Sequence, residues 1–392
     1  MIGTPLALHS PGAVRQALRS HGWEEGQAAA AAGGIHPWAI HLTDLDQDAL
    51  EALVRFAGGL GLEVLTGEGW AVLAGSRSRL SAFARPWTVP APLADAAVAV
   101  GLALPAEPPP VWRTARGPIR LDRPVIMGIL NVTPDSFSDG GRFAAEDAAL
   151  PHADRMVQDG ASVVDVGGES TRPGREDSVA LEEELRRVVP VVEALARARP
   201  ELLVSVDTVK RAVAAAALGA GAAIVNDVTG FRLDGGMARV AAAAGAGVVL
   251  MHSRGGVLEI ASYTYADYAG DVVGGVLDEL RAAVAAASAA GIASDAIAID
   301  PGFGFSKTVE QNVLVLDQLA ALQALGRPVL VGPSRKRFLG AVTGLAVEHR
   351  DRATAAACAL AWERGARVFR VHDVATAREA LALAAAISPP SP

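Results

Sequence analysis

From residue 118 onward, short apolar runs rich in valine, isoleucine and leucine alternate with longer stretches whose apolar positions recur at helical spacing. The runs "PVIMGILNV", "SVVDVGG", "LLVSVDT", "AIVNDVT", "GVVLMHS", "AIAIDPGF", "PVLVGPS" and "RVFRVHDV" read as strands. Between them, "SVALEEELRRVVPVVEALARAR" carries a polar stripe and "TVEQNVLVLDQLAAL" opens with a Thr308–Gln311 capping box, both signs of helices. Eight strand–helix units over about 270 residues predict an α/β fold, a closed (β/α)8 TIM barrel.

Upstream, the pattern is less regular. "PLALHS", a helical "PGAVRQALRSHGW", "WAIHLTDL", a helical "DQDALEALVRFAGGLG", "LEVL" and "WAVLAG" predict a β-α-β-α-β-β order, a small α+β domain. The prolines of "PAEPPPVW" favour extended backbone with few donors, which neither a helix nor a sheet centre accepts. The expected division is therefore an N-terminal α+β domain over 1–104, a proline-rich linker over 105–117 and a barrel over 118–392. His9, His21, His36 and His41 lack the paired spacing of a helical metal motif and read as loop or surface residues.

Composition narrows the functional classes. Half of the 392 residues are apolar (51%), so a large core is available. The net charge of −8 is spread along the chain, which argues against nucleic-acid and anionic-membrane partners. Cys358 is the single cysteine, so disulfides and cysteine zinc sites are excluded. "MIGTPLALHS" lacks the basic flank and long apolar run of a secretory signal, and a cytoplasmic location is expected.

Every predicted barrel strand ends in hydrogen-bonding groups: Asn131, Asp165, Asp207, Asn226 with Asp227, His252, Asp300, Ser334 with Lys336, and Arg370 with His372. Any one could be a helix cap; eight at corresponding positions predict a ligand site on the barrel's C-terminal rim. Asp207 and Asp300 leave apolar strands, and a buried carboxylate needs a partner with strong paired donors. With the amide of Asn226 and the ammonium of Lys336, they suit a flat heterocycle bearing an amidine-like N–H pair and a carbonyl. Either aspartate alone could equally cap the following helix. Arg370, His372, Arg172 and the hydroxyls of "GGESTRPG" form a second, anion-seeking group that suits a phosphate or diphosphate. The loops "TPDSFSDGG" and "GGESTRPGRED" are too polar to pack in a core and read as covers over the mouth.

The ordered motifs "MGILNVTPDSFSDGG", "VDVGGESTRPG", "SVDT", "NDV", "DPGFGF", "GPSRKRF" and "RVHDV" resemble those of the dihydropteroate synthase family, over about seven tenths of the chain from Ile119 to the end. The resemblance implies condensation of a pterin diphosphate with 4-aminobenzoate by a dissociative route. It implies that Asp207, Asn226, Asp300 and Lys336 hold the pterin edge while Met251 and Phe303 pack near its faces. Asn131, Arg172, Arg370 and His372 would bind the diphosphate, with Asn131 also a ligand of Mg2+. Thr171, Arg172, Pro173, Phe305 and Ser334 would shape the aminobenzoate pocket under a mobile loop containing Asp135, Ser136 and Phe137. Asp207, Lys336, Arg370 and His372 would be catalytic, and a homodimer through barrel helices is implied. Two departures stand out: "MHSRGGVLEIASYTYADY" replaces a methionine-rich segment, and Ser306 stands where glycine is common.

Two other readings share parts of the pattern. A pterin-binding methyltransferase would keep the pterin clamp but has no use for "NVTPDSFSDGG" and "GGESTRPG". A non-catalytic pterin-binding module would keep the pocket without needing Lys336, Arg370 and His372. The N-terminal domain takes no part in the resemblance.

Overall fold

The structure is a computed structural model that describes residues 24, 27, 37–104, 108–132, 142–169 and 178–388. The chain divides between residues 104 and 108 into two compact units. In the first, β1 (Pro37–Leu42), β2 (Glu63–Gly67) and β3 (Trp70–Ser76) form an antiparallel sheet in the order β1-β3-β2. Helix α1 (Gln47–Ala57), capped by Asp46, presents Leu50, Leu53 and Ala57 to its core. Two further helices, α2 (Arg77–Phe83) and α3 (Ala94–Ala103), were not legible in the pattern. The strand and helix expected before Pro37 lie outside the described residues.

In the second unit, Val111 to Arg120 form a hairpin, β4 (Val111–Thr114) with β5 (Gly117–Arg120), rather than the end of a linker. The physical reason is alternation: Trp112 and Ile119 pair across the hairpin and are buried among Val125, Met127, Val249, Ala298, Leu330 and Val368. The Trp112 indole N–H donates to the Ala296 carbonyl at 2.9 Å. The hairpin thus supplies apolar surface to one end of the barrel interior.

Eight parallel strands close the barrel: β6 (Val125–Asn131), β7 (Val163–Gly167), β8 (Leu203–Asp207), β9 (Ile224–Asp227), β10 (Gly247–Met251), β11 (Ile297–Asp300), β12 (Val329–Val331) and β13 (Ala366–Val371). They correspond to the eight apolar runs. Around them lie α4 (Arg142–Asp159), α5 (Leu181–Ala198), α6 (Arg211–Gly219), α7 (Met237–Ala243), α8 (Val272–Ala289), α9 (Val309–Asp317), α10 (Arg337–Thr343), α11 (Asp351–Glu363) and α12 (Val374–Ile387). The Thr308 capping box of α9 is present in both directions.

Side chains alternate along a strand, so Val163, Asp165 and Gly167 share one face. Register then aligns Asn131 with Gly167, Gly167 with Asp207, and Asp207 with Asn226, bringing polar side chains from three strands, with a glycine of the fourth between them, to one level. No helix among the described residues is long and apolar enough to cross a membrane.

Candidate active site

The rim opens into a cavity of about 610 Å3 lined by residues that include Asn131, Asp207, Phe305, Ser334, Lys336, Arg370 and His372. Two glycines stand at strand ends close to its carboxylates. A Cβ on Gly167 would lie 3.5 Å from Asp207 Cβ and 3.8 Å from Asn131 Oδ1, and one on Gly332 would lie 3.9 Å from Asp300 Oδ2.

A charge network holds one side of the cavity. Arg370 donates from Nε to Asp165 Oδ2 at 2.6 Å and from Nη2 to Asp207 Oδ2 at 2.7 Å. Asn226 Nδ2 donates to the same Asp165 oxygen at 2.9 Å. Asp165 is fully buried, and its Oδ1 has no hydrogen-bond partner among the described residues. Its polarity was visible at the end of a predicted strand, but its service to both Asn226 and Arg370 was not. Arg370, expected beside the diphosphate alone, is therefore also the cation that organises the carboxylate side of the site. Burial raises the Asp207 pKa, with Asp165 adding to the rise and Arg370 opposing it. Burial opposes the Arg370 charge as well, yet Asp165 and Asp207 hold its pKa above the usual guanidinium range.

Asp300 enters from β11. Its Oδ1 accepts from Gly302 N at 2.7 Å, an Asx-type contact made possible by a left-handed Gly302 (φ +70°). A Cβ there would come within 2.0 Å of the His252 carbonyl, so no larger residue fits. Burial pushes the Asp300 pKa up to about 6, against the Gly302 N–H and the cations Lys336, Lys307 and Arg370. Lys336 stands 3.6 Å above the Phe305 ring centroid, and burial, aided by Arg370, brings its pKa down to about 7.

Ser334 and His372 act as a pair. The His372 backbone N–H donates to Ser334 Oγ at 3.1 Å, and the same hydroxyl lies within hydrogen-bond distance of His372 Nδ1, at 2.8 Å. With the hydroxyl as donor to Nδ1, the imidazole proton sits on Nε2, the form that can donate to an anion. Arg335 and Arg337, which flank Lys336, also line the cavity, as does Arg350. Arg335 is held by a two-bond fork to Asp351, at 2.7 and 2.8 Å, which tethers the turn before α10 to α11.

Two expectations change. Phe303, expected at a pterin face, is buried on the helix side of the barrel, where its ring centroid lies 5.7 Å from that of Phe338. Phe305 lines the cavity instead, because left-handed Gly302 and Gly304 turn the chain on either side of Phe303. Met251 does not line the cavity directly; it is buried in an apolar cluster with Val228, Ile260, Ala261 and Phe305, supporting that ring from behind. Thr171, Arg172, Pro173, Asp135, Ser136 and Phe137 lie outside the described residues.

The barrel region is similar to known proteins. Residues 127–372 match the family described as pterin binding enzyme. A dihydropteroate synthase of Bacillus subtilis (strain 168) is 44% identical over 253 residues, which is 64% of this chain and 85% of that relative. A solved dihydropteroate synthase of Xanthomonas albilineans with 4-aminobenzoic acid is 45% identical, with a TM-score of 0.65, covering 71% of this chain and 98% of that one. That of Burkholderia cenocepacia, complexed with 7,8-dihydropteroate, is 41% identical, with a TM-score of 0.64, covering 72% and 96%.

Proposed function

From the premise that this chain belongs to the family of pterin-binding enzymes and carries dihydropteroate synthase activity, we propose how its rim divides the labour of joining 6-hydroxymethyl-7,8-dihydropterin diphosphate to 4-aminobenzoate. The observation that carries the assignment is one cavity in which Asp207, Lys336, Arg370 and His372 meet above Asp300 and the Asn226–Asp165 pair. Asp207 and Asp300 receive the N–H groups of the pterin edge, while Asn226 and Lys336 serve its carbonyl and ring nitrogens. Paired carboxylates accept such donors more strongly than neutral groups do.

The reaction is dissociative. The C–O bond to diphosphate breaks with its electron pair leaving on oxygen, and the methylene cation is delocalised into the pterin ring beside two carboxylates. The arylamine nitrogen then forms the new C–N bond and releases a proton, giving 7,8-dihydropteroate and diphosphate. Arg370 and His372 Nε2–H meet the charge that develops on the departing group, a contribution that counts most in the transition state. Ser334 keeps His372 in its donor form, and with Phe305 it bounds the aminobenzoate side. By the resemblance to the family, Thr171, Arg172 and Pro173 would belong to that side, and the segment with Asp135, Ser136 and Phe137 would serve to exclude water that could otherwise trap the cation.

Magnesium suits this donor set. Among the described residues no group of three or more His, Cys, Asp or Glu is placed to hold a metal, and Mg2+ does not require one, since it retains waters and takes phosphate oxygens. The Asn131 side-chain oxygen at the cavity wall would hold it beside the diphosphate, where the ion would draw off negative charge from the leaving group.

The protein is assigned to the cytoplasm, in keeping with its one buried, unpaired cysteine. Exposed Val342, Leu345, Leu360 and Leu383 on and beside α10, α11 and α12 favour a homodimer through barrel helices. Diphosphate release measured with and without 4-aminobenzoate tests the assignment. Release that depends on the arylamine and matches dihydropteroate formed supports it, and absence of both products from folded protein with Mg2+ rules it out. The same assay separates the methyltransferase and non-catalytic readings, neither of which releases diphosphate.

A further inference from the structure

Lys307 is 1% exposed and, among the described residues, has no carboxylate as a hydrogen-bond partner. Its ammonium has three N–H bonds and three partners: His252 Nδ1 at 2.9 Å, the Phe305 carbonyl at 3.2 Å and the Gly302 carbonyl at 3.3 Å. The two carbonyls belong to the turn that follows Asp300, the turn whose Gly302 N–H holds Asp300 Oδ1 and whose Phe305 ring lies under Lys336. His252 Nε2 in turn lies 3.1 Å from Glu279 Oε2, and Arg254 shares that carboxylate. A buried cation paired only with neutral groups is costly, so an apolar side chain would serve packing better.

We propose that Lys307 is a positioning residue for the pterin site, fixing the Gly302–Phe305 turn and supplying a buried positive charge behind Asp300. The proposal rests on the pterin assignment above and deepens it. Three committed donors leave the turn one arrangement, in which Asp300 and Phe305 both serve the cavity. The neighbouring segment adds to the clasp. Ser306, left-handed at φ +48°, donates its hydroxyl to the Arg254 carbonyl at 2.9 Å and accepts from Arg254 N at 3.0 Å, and Tyr268 donates to the Ser306 carbonyl at 2.9 Å. The segment that departs from the family after β10 is thus tied to the turn at the residue where glycine is usual.

The charge has a definite direction of effect. The groups facing Asp300 are Lys336, Lys307 and Arg370, all of which favour its ionised form. Burial brings the Lys307 pKa down to about 7, with Asp300 and Glu279 favouring its charge and Arg254 opposing it, beside a His252 whose own pKa burial takes down to about 4, so Lys307 carries its charge below neutral pH, across the range in which Asp300 titrates. Loss of the Lys307 charge therefore raises the pH at which Asp300 loses its proton, and pterin binding fails at a higher pH.

The test is the dissociation constant of the pterin diphosphate, without 4-aminobenzoate, measured from pH 5 to 8 for the full-length chain. Lys307→Met, of similar length and uncharged, should bind about tenfold more weakly at neutral pH, with its acid midpoint raised by about half a pH unit or more. Lys307→Arg, which retains the charge, should keep the midpoint of the unaltered chain even if affinity falls. Lys307→Gln replaces Lys307→Met should the latter not fold. Unchanged affinity and midpoint in the neutral variant overturn the proposal. So does failure of both neutral variants to fold, which would make Lys307 a residue of the fold rather than of the site. Failure of the unaltered chain to bind pterin diphosphate would instead refute the functional assignment.

Discussion

Asp300 is where the chemistry of a single residue has the clearest solution signature. Its carboxyl carries a raised pKa of about 6, so it is ionised at neutral pH and takes a proton as the pH falls through that value. Only the ionised form accepts two pterin N–H groups. The kcat/KM for pterin diphosphate should therefore drop below about pH 6, and Asp300→Asn should abolish that limb along with most turnover; a flat profile down to pH 5 would contradict it. For the free protein the sign is opposite. A carboxyl whose folded pKa is raised favours the folded state most below its unfolded pKa, near 3.8, and that contribution is lost as the pH rises through about 6. The site thus keeps a charge that serves ligand binding at the expense of stability. Asp300, Asp207, Asn226 and Lys336 were legible because each stands where an apolar strand ends. Asp165 was seen only as a strand end, since nothing in "VVDVGG" tells that one carboxylate oxygen will receive both Arg370 and Asn226. Lys307 was missed because a lysine after a glycine-rich turn reads as solvated, and its burial arises from packing by segments around His252 and Asn312.

At the scale of elements, the eight barrel strands were legible because each is a short β-branched run between helices of different period. The hairpin of β4 and β5 was not, because prolines at 108–110 masked a four-residue alternation and its partner surface is the barrel interior. Trp112→Ala should lower stability by roughly 3–5 kcal/mol, as expected when a large buried ring is removed. Thr308→Ala, which removes the α9 cap at a partly buried position, should cost about 1 kcal/mol. Chemical denaturation of both variants checks the ranking; a Trp112→Ala cost no larger than that of Thr308→Ala would mean the hairpin is dispensable to the barrel. Phe303 shows the limit of reading elements from a motif. The resemblance implied Phe303 at the pterin and Phe305 at the aminobenzoate, and the left-handed glycines between and before them send one to the helix layer and the other to the cavity.

For the whole molecule, all the residues assigned to chemistry lie between Asn131 and His372, in the second unit. A chain beginning at residue 108 should keep kcat within about twofold, as expected of a domain with its own core. One beginning at residue 118 loses β4 and Trp112 and should unfold at a distinctly lower temperature. Loss of turnover on cutting at 108 would give the first unit a part in catalysis that nothing in the barrel requires. The central claim is that the carboxylate clamp organised by Arg370 is the catalytic pterin site, and Asp207→Asn tests it most directly. The exchange keeps size and shape but replaces the charged acceptor of Arg370 Nη2. With circular dichroism and thermal unfolding close to those of the unaltered chain, the rate of dihydropteroate formation should fall by about 10²-fold or more; a folded Asp207→Asn variant turning over at a near-normal rate would contradict the account.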